Sequence, residues 1–124
     1  MIEERILKIT TIADGSATVT DTKAVFGRLV KVQWVDGTLA DGVDAVLSAT
    51  HTASGVDEVL LTLTDANVDA VYRPRALVHS EAGAALTGTS GGDREAPLFS
   101  GTLQVVVANG GNVASGAIIC YVER

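Results

Sequence analysis

The ten residues FGRLVKVQWV, Phe26 to Val35, indicate the fold class of this 124-residue chain. Every second residue from 26 to 34 shares one face of an extended chain, and the intervening positions share the other. This alternation predicts a half-buried β-strand, with Trp34 in the core and Lys31 and Gln33 facing solvent. Arg28 lies on the apolar face in this interpretation, so we expect it near the exposed start of the strand.

Outward from this strand, short apolar runs and turn signals alternate along the whole chain, and no amphipathic helix is evident. About eight short strands are predicted, which is typical of an all-β, antiparallel β-sandwich, either jelly-roll-like or immunoglobulin-like. We expect one domain over residues 1–124 without internal repeats. The strand-like runs are RILKITTIA (5–13), SATVT (16–20), FGRLVKVQWV (26–35), VDAVLSATH (43–51), DEVLLTLT (57–64), AVYRPRALVH (70–79), LFSGTLQVVVA (98–108) and ASGAIICYVE (114–123).

The connections carry more specific expectations. Asp14-Gly15 is a hairpin-type turn signal, and the turn at 109–112 predicts that the last strand pairs back on the strand before it. Pro74 cannot donate to a sheet ladder, so its strand is expected at an edge or broken there. The segment Ser80 to Pro97 is predicted to be a long loop outside the sandwich that reaches a neighbouring molecule.

Alternation also predicts the core and leaves an apolar surplus. Three runs, at 60–61, 105–107 and 117–119, place apolar residues on both faces of their strands. Because the second face of a sandwich layer normally meets water, this surplus predicts subunit contacts in addition to a core. The residues expected to be largely buried are Trp34, Val30, Val32, Leu61, Leu63, Val105, Val107, Ile119 and Tyr121.

Charge and cysteine content exclude several classes of protein. The formal net charge is −6 and the nine basic residues are scattered, so we expect no nucleic-acid partner, because phosphate binding requires clustered Lys and Arg. The single cysteine, Cys120, cannot form an intramolecular disulfide and is expected to be a buried apolar residue. No run approaches the roughly 20 apolar residues of a membrane span, and no signal-peptide core is seen.

Two strings resemble parts of trypsin-like serine proteases. GTSGGD (88–93) is close to the signature around the nucleophile of those enzymes, with Ser90 in its place, and LSATHTA (47–53) is similar to the segment around their base, with His51. Thr89 stands where the family has Asp, only 39 residues separate His51 from Ser90, and one small domain cannot supply two β-barrels. A nucleophile in a Gly/Ser/Thr-rich loop would also not be held rigidly. We therefore expect no enzymatic activity.

The remaining polar residues are weaker candidates for a metal or binding site. Asp36, Asp41 and Asp44 lie close in sequence, and hard cations prefer oxygen ligands. Asp-Gly pairs are also common turn formers, so the question of a cation there stays open. His51 and His79 have no further zinc ligands nearby, and Arg73 and Arg75 fit surface charge or pairing with a neighbouring subunit. No catalytic, cofactor-binding or metal-binding residue and no cofactor is therefore predicted.

Three segments resemble small structural proteins of tailed bacteriophages. They are VKVQWVDGTLADGVDAVLSAT (30–50), LLTLTDANVDAVYRPRALVH (60–79) and PLFSGTLQVVVANGGNVASGAIICYV (97–122), and the likeness extends from Arg5 to Glu123. The resemblance implies a virion protein assembled in the host cytoplasm. We expect a capsid decoration (cement) protein, favoured as a homotrimer, that binds the major capsid protein or other virion proteins. A head–tail connector or a tail or fibre component is an alternative, and a ligand- or carbohydrate-binding β-sandwich is a further one.

Overall fold

A computed structural model describes residues 1–77 and 94–124 of the chain. The described part is all-β and antiparallel, which confirms the predicted β-sandwich. It contains nine strands, with no helix and so none suited to crossing a membrane. The strands are β1 (Ile2–Thr10), β2 (Ala17–Val35), β3 (Asp44–Thr50), β4 (Asp57–Leu63), β5 (Ala70–Tyr72), β6 (Ala76–Leu77), β7 (Arg94–Glu95), β8 (Leu98–Ala108) and β9 (Ser115–Glu123).

Seven strands form one sheet in the order β1-β9-β2-β8-β3-β4, with β5 also paired to β2. The first strand therefore pairs with the last, from Ile2↔Glu123 to Thr10↔Ser115. The predicted hairpins at 14–15 and 109–112 are wrong, although both turns form and Gly15 has a φ of 84°. The two strands that flank each turn enter different layers. They do so because β1 pairs with β9 over nine residues, and this pairing buries Leu7 and Ile9 in the core.

Strand β2 bends back on itself and belongs to both layers. Ala17 pairs with Val107 of β8, whereas Val35 pairs with Ala117 of β9. Those two partners are ten residues apart and can be separated by at most roughly 35 Å, while 19 straight strand residues would hold the ends of β2 roughly 60 Å apart. The bend coincides with register shifts at 20–24 and 29–31. One layer thus consists of β4, β3, β8 and the first half of β2. The other layer consists of β1, β9, the second half of β2 and β5.

The predicted faces of β2 are wrong for the residues before the second register shift. Val30 is an extra residue opposite β9, between Leu29↔Val122 and Lys31↔Tyr121. A bulge of this kind reverses the side-chain alternation, so Leu29 is buried before it and Val32 and Trp34 are buried after it. Arg28 lies before the bulge and points outward. It was predicted on the apolar face because the prediction assumed unbroken alternation through the strand.

The predicted core is confirmed at five of its nine positions, Trp34, Val32, Leu63, Val105 and Val107. Val30 is only half-buried because it lies in the bulge. Leu61 is partly buried against the core. In β9 the predicted phase was wrong: Ile118, Cys120 and Val122 are buried, and Ile119 and Tyr121 face outward. Three consecutive apolar residues at 117–119 do not indicate which face of β9 is buried. Only the pairing with β1 decides that face.

The chain is interrupted around Pro74, as predicted, and β5 and β6 lie on either side of it. The predicted loop from Ser80 to Pro97 falls largely outside the described residues, as do His79 and Ser90. At its end, Arg94 and Glu95 form β7, which pairs with Ala76 and Leu77 of β6. This two-stranded ladder is separate from the seven-stranded sheet.

Four connections meet at one end of the sandwich, which we call the closed end: residues 11–16, 36–43, 64–69 and 109–114. Backbone hydrogen bonds join them, from Thr11 N to Ala114 O at 2.8 Å, Gly110 N to Gly15 O at 2.9 Å and Ala40 N to Gly110 O at 3.0 Å. Ala66 N donates to Val43 O at 2.8 Å, and Trp34 Nε1 donates to Ala66 O at 2.9 Å. This network seals the core at that end.

Candidate functional site: an apolar pocket at the open end

The opposite end, which we call the open end, contains the bend of β2, the turn 51–56 and the start of β8. An open pocket of about 480 Å³ lies between these segments. Its size is within the usual range of ligand sites, roughly 300–1,000 Å³. The residues that line it are Phe26, Ala49, His51, Ser54, Val56, Glu58, Leu98, Phe99 and Ser100.

Three large apolar side chains of this pocket are exposed. Phe26 is 63% exposed, Val56 64% and Leu98 50%, whereas Phe99 in the pocket floor is buried. Phe26 faces outward because it pairs with Ser100 on the outer phase of β2, while its neighbours Val25 and Gly27 take the inner phase. Bending of β2 therefore brings an aromatic ring to the surface beside two aliphatic ones.

The backbone below the pocket is closely packed. Gly101 has a φ of 139° and lies against the carbonyl of Thr50, so that a Cβ would overlap that oxygen. This close approach places the start of β8 beside the end of β3 and the turn that follows. In that turn, His51 N donates to Val56 O at 2.9 Å and Gly55 N donates to His51 O at 2.8 Å. The exposed Val56 is thus held on a hydrogen-bonded turn.

Apart from Ser100 in β8, the polar residues of the pocket lie in the same turn and at the start of β4. His51 Nδ1 lies 3.1 Å from the backbone nitrogen of Ser54, which donates to it, and 3.0 Å from the Ser54 hydroxyl. This contact orients the imidazole within its own turn. Glu58 is exposed, and its carboxylate forms no ion pair with any residue in 1–77 or 94–124. The pocket thus combines an apolar surface with one carboxylate that no cation among residues 1–77 and 94–124 neutralises.

Arg28 anchors the segment that enters β8 beside the pocket. Its Nη1 donates to Ala96 O at 2.8 Å and lies 3.5 Å from Glu95 Oε2. Leu29 N donates to Pro97 O at 3.0 Å. These contacts fix the chain just before Leu98 and so position that side chain in the pocket.

The closed end carries a cluster of acidic residues. Six aspartates, and no lysine or arginine, lie in its connections or at the first residue of β3. The other nine acidic residues of the chain equal the nine basic residues in number. Six of the fifteen acidic residues are therefore gathered at one pole, distant from the pocket. The six are Asp14, Asp36, Asp41, Asp44, Asp65 and Asp69.

Of the three aspartates considered as cation ligands, one bonds the neighbouring turns through its carboxylate. Asp44 accepts from Asp65 N at 3.0 Å and from Asn109 Nδ2 at 3.1 Å, while Asp69 accepts from Asp36 N at 2.8 Å. Asp36 Oδ1 is buried without a hydrogen-bond partner, and burial together with the charges of Asp69 and Asp41 raises the pKa of Asp36. No metal-holding group of three acidic, histidine or cysteine residues occurs in the described ranges.

The outer face of the β1-β9-β2 layer presents an apolar row. Ile6, Ile119, Gln33 and Val71 are neighbours across four strands, and Ile6 and Val71 are about half exposed. In the adjacent row Lys31 Nζ lies 4.3 Å from the centre of the Tyr121 ring. On the other layer, Val106 faces outward at 43% exposure.

The remaining candidates are placed as follows. Cys120 is fully buried, and burial raises the pKa of its thiol to about 12. Arg73 and Arg75 are exposed on either side of the buried Pro74, and Arg75 Nη1 donates to Pro74 O at 2.6 Å. The pocket itself was missed in the sequence, since its lining comes from three separate stretches of the chain. The available signal was Phe26, an aromatic residue beside a glycine in a predicted strand.

No family model matches the chain, and no curated protein matches it. Among solved structures it is similar to a chain in "Structure of infectious bursal disease virus Gx strain", with 16% sequence identity and a TM-score of 0.29. The match covers 98% of this chain but only 38% of that one. A likeness this low carries no argument about function.

Proposed function

We propose that this chain is a non-enzymatic structural protein of a tailed-phage virion, most specifically a decoration protein that stabilises the capsid from outside. The observation that carries the proposal is the exposure of apolar side chains outside the core. Ile6 and Val71 lie on one layer, Val106 on the other, and Phe26 and Leu98 at the open end. Apolar surface of this kind is typical of areas that another protein covers.

The apolar row on the β1-β9-β2 layer suits contact between copies of the chain. Ile6 and Val71 lie at its two sides with Ile119 between them, and Tyr121 beside it is held by Lys31. Burying apolar area contributes about 2.5 kcal/mol per 100 Å² before the cost of association. A closed ring of three copies would place this row at each interface, against a different surface of the neighbouring copy. The resemblance to decoration proteins is the basis for favouring a homotrimer.

The charge distribution supports a position on the outside of a particle. A net charge of −6 is repelled by packaged DNA and gives a well-hydrated outer surface. The sequence resemblance to structural proteins of tailed phages points the same way. Many copies on one shell would add weak contacts into a large total stabilisation.

Mass measurement and particle binding test the proposal together. We expect a trimer in solution by light scattering and saturable binding to phage heads that lack the protein. Ile6→Ser should shift the mass toward the monomer, because Ile6 is in the apolar row. Ile12→Ser is the matched control, since Ile12 is 62% exposed at the closed end and should leave the mass unchanged.

Other outcomes would replace the proposal. A chain that is monomeric, ignores heads and binds tail tubes or connectors would be a tail or neck component. A chain that binds only a sugar or another small molecule would be a ligand-binding module. Exposure of Phe26 in a pocket of about 480 Å³ favours that second candidate, because aromatic rings are common in sugar sites, and Phe26→Ser would then abolish ligand binding.

A further inference from the structure

The open end and the closed end differ in their suitability for contact with another protein. The closed end is charged and its backbone groups are satisfied by one another. The open end has a pocket with three exposed apolar side chains and carries none of the six aspartates of the closed end. Both ends expose apolar side chains, since Ile12, Val68 and Val113 are exposed at the closed end. Desolvating the open end nevertheless costs less, because it does not remove water from the six aspartates.

We infer that the pocket at the open end is the surface that docks on the shell protein, and that the acidic pole points away from the shell. The occupant is an apolar side chain of the shell surface that is followed or preceded by a lysine or arginine. This inference rests on the proposed function and adds the orientation of the protein and the chemistry of its partner.

The apolar part of the occupant follows from the lining. Phe26, Val56 and Leu98 surround the opening and Phe99 closes the floor. A branched aliphatic or aromatic side chain entering between them would be covered on several sides. Such a side chain in a pre-formed pocket is a typical anchor of a protein interface.

The basic part of the occupant follows from charge complementarity. Glu58 lines the pocket and no cation of the described residues pairs with it. Asp57, next to it, accepts a hydrogen bond from the Thr50 hydroxyl at 2.5 Å and stays at the same edge. A cation beside the apolar anchor would neutralise the Glu58 carboxylate when water is excluded.

Orientation also follows from the position of the six aspartates. With the open end against the shell, the six aspartates lie at the far pole. In that arrangement the aspartates stay in water, which screens the repulsion between them, and they are not buried against the shell. With the closed end against the shell, six carboxylates without a local cation would have to be desolvated.

Two valines of nearly equal exposure provide a matched test. Val56 in the pocket is 64% exposed and Val113 at the closed end is 67% exposed. Binding of each purified variant to heads lacking the protein would be measured by sedimentation, with Trp34 fluorescence as the check on folding. Val56→Ser should weaken binding, whereas Val113→Ser should change it less than twofold. Adding Phe26→Ser to Val56→Ser should bring the loss to at least tenfold.

Charge variants test the basic part of the occupant in the same assay. Glu58→Gln should weaken binding and reduce its dependence on salt, whereas Asp41→Asn at the closed end should do neither. Full binding by the pocket variants, or loss of binding by Val113→Ser or Asp41→Asn alone, would overturn the docking surface and leave the proposed function standing.

Two further outcomes separate the alternatives. If the pocket variants lose the mass of the oligomer and keep head binding as monomers, a second copy of the chain fills the pocket and the inference is wrong. If the unaltered chain does not bind heads at all, the proposed function fails and the inference fails with it.

Discussion

Arg5 and Asp21 join two strands that share no backbone pairing. Arg5 Nε donates to Asp21 Oδ2 at 2.7 Å and Arg5 Nη2 donates to Asp21 Oδ1 at 2.5 Å. Asp21 lies in the first irregularity of β2, between Thr20 and Ala24. The two side chains are 19% and 7% exposed. This two-point ion pair therefore spans the gap between β1 and the first half of β2.

Asp21→Asn should destabilise the fold by about 1.5–3 kcal/mol at pH 7, because a charge-assisted pair is lost and Arg5 is left half-buried. Hydrogen bonding to Arg5 lowers the pKa of Asp21 below its ordinary value of 3.8. Its stabilising contribution is present above pH 3.8 and is lost as the pH falls through the lower pKa of the folded state. Urea unfolding at pH 7 and near pH 2 measures both effects. An equal loss at the two pH values would contradict the ion-pair account, and Asp41→Asn is the exposed control.

Asp36→Asn should have the opposite sign. Burial, Asp69 and Asp41 raise the pKa of Asp36, so the folded state holds its proton more tightly than the unfolded state and stability falls as the pH rises through that range. Replacing the carboxylate should raise Tm at pH 7 by about 1–3 °C, a typical scale for a sub-kilocalorie change. Below pH 3.8, where both states are protonated, the difference should vanish. A variant less stable than the original chain at pH 7 would show that the carboxylate is favourable there.

Gly101→Ala should be among the most damaging single substitutions. Its φ of 139° is unfavourable for any side chain, and a Cβ would collide with the backbone of Thr50. A loss of roughly 2–4 kcal/mol is expected, from backbone strain and disrupted packing together. Gly42→Ala is the control, because the nearest atom to a Cβ there, Asp65 Oδ1, is 4.0 Å away. Chemical denaturation compares the two, and equal losses would mean that the close approach at Gly101 is unimportant.

Cys120 should resist thiol reagents in the folded protein. The side chain is fully buried and the pKa of its thiol is raised to about 12, while the thiolate is the reactive form. Labelling with Ellman's reagent should therefore be slow at pH 8 and become fast in denaturant. Rapid labelling without denaturant would place Cys120 at the surface and reverse the phase of β9.

Particular strands show how far the sequence could be interpreted. Pro74 marked a real interruption because its missing N–H is a local property. Trp34 was placed correctly because alternation from 31 to 35 is unbroken. The same logic failed for Val30, since a bulge is set by the partner strand and leaves no mark in the sequence. It also failed for Ile119 and Tyr121, where apolar residues fill both phases.

Local composition by itself determined the all-β class, the positions of most turns and the overall acidity, because each depends on nearest-neighbour preferences and on counts. Only the tertiary structure decided which strands pair, where β2 bends and which residues meet in the pocket. Turns of the same sequence can lead into a hairpin or into separate layers, and the choice depends on which long-range pairing buries the most apolar surface. The separation of six aspartates from the apolar pocket likewise depends on which connections gather at each end of the sandwich.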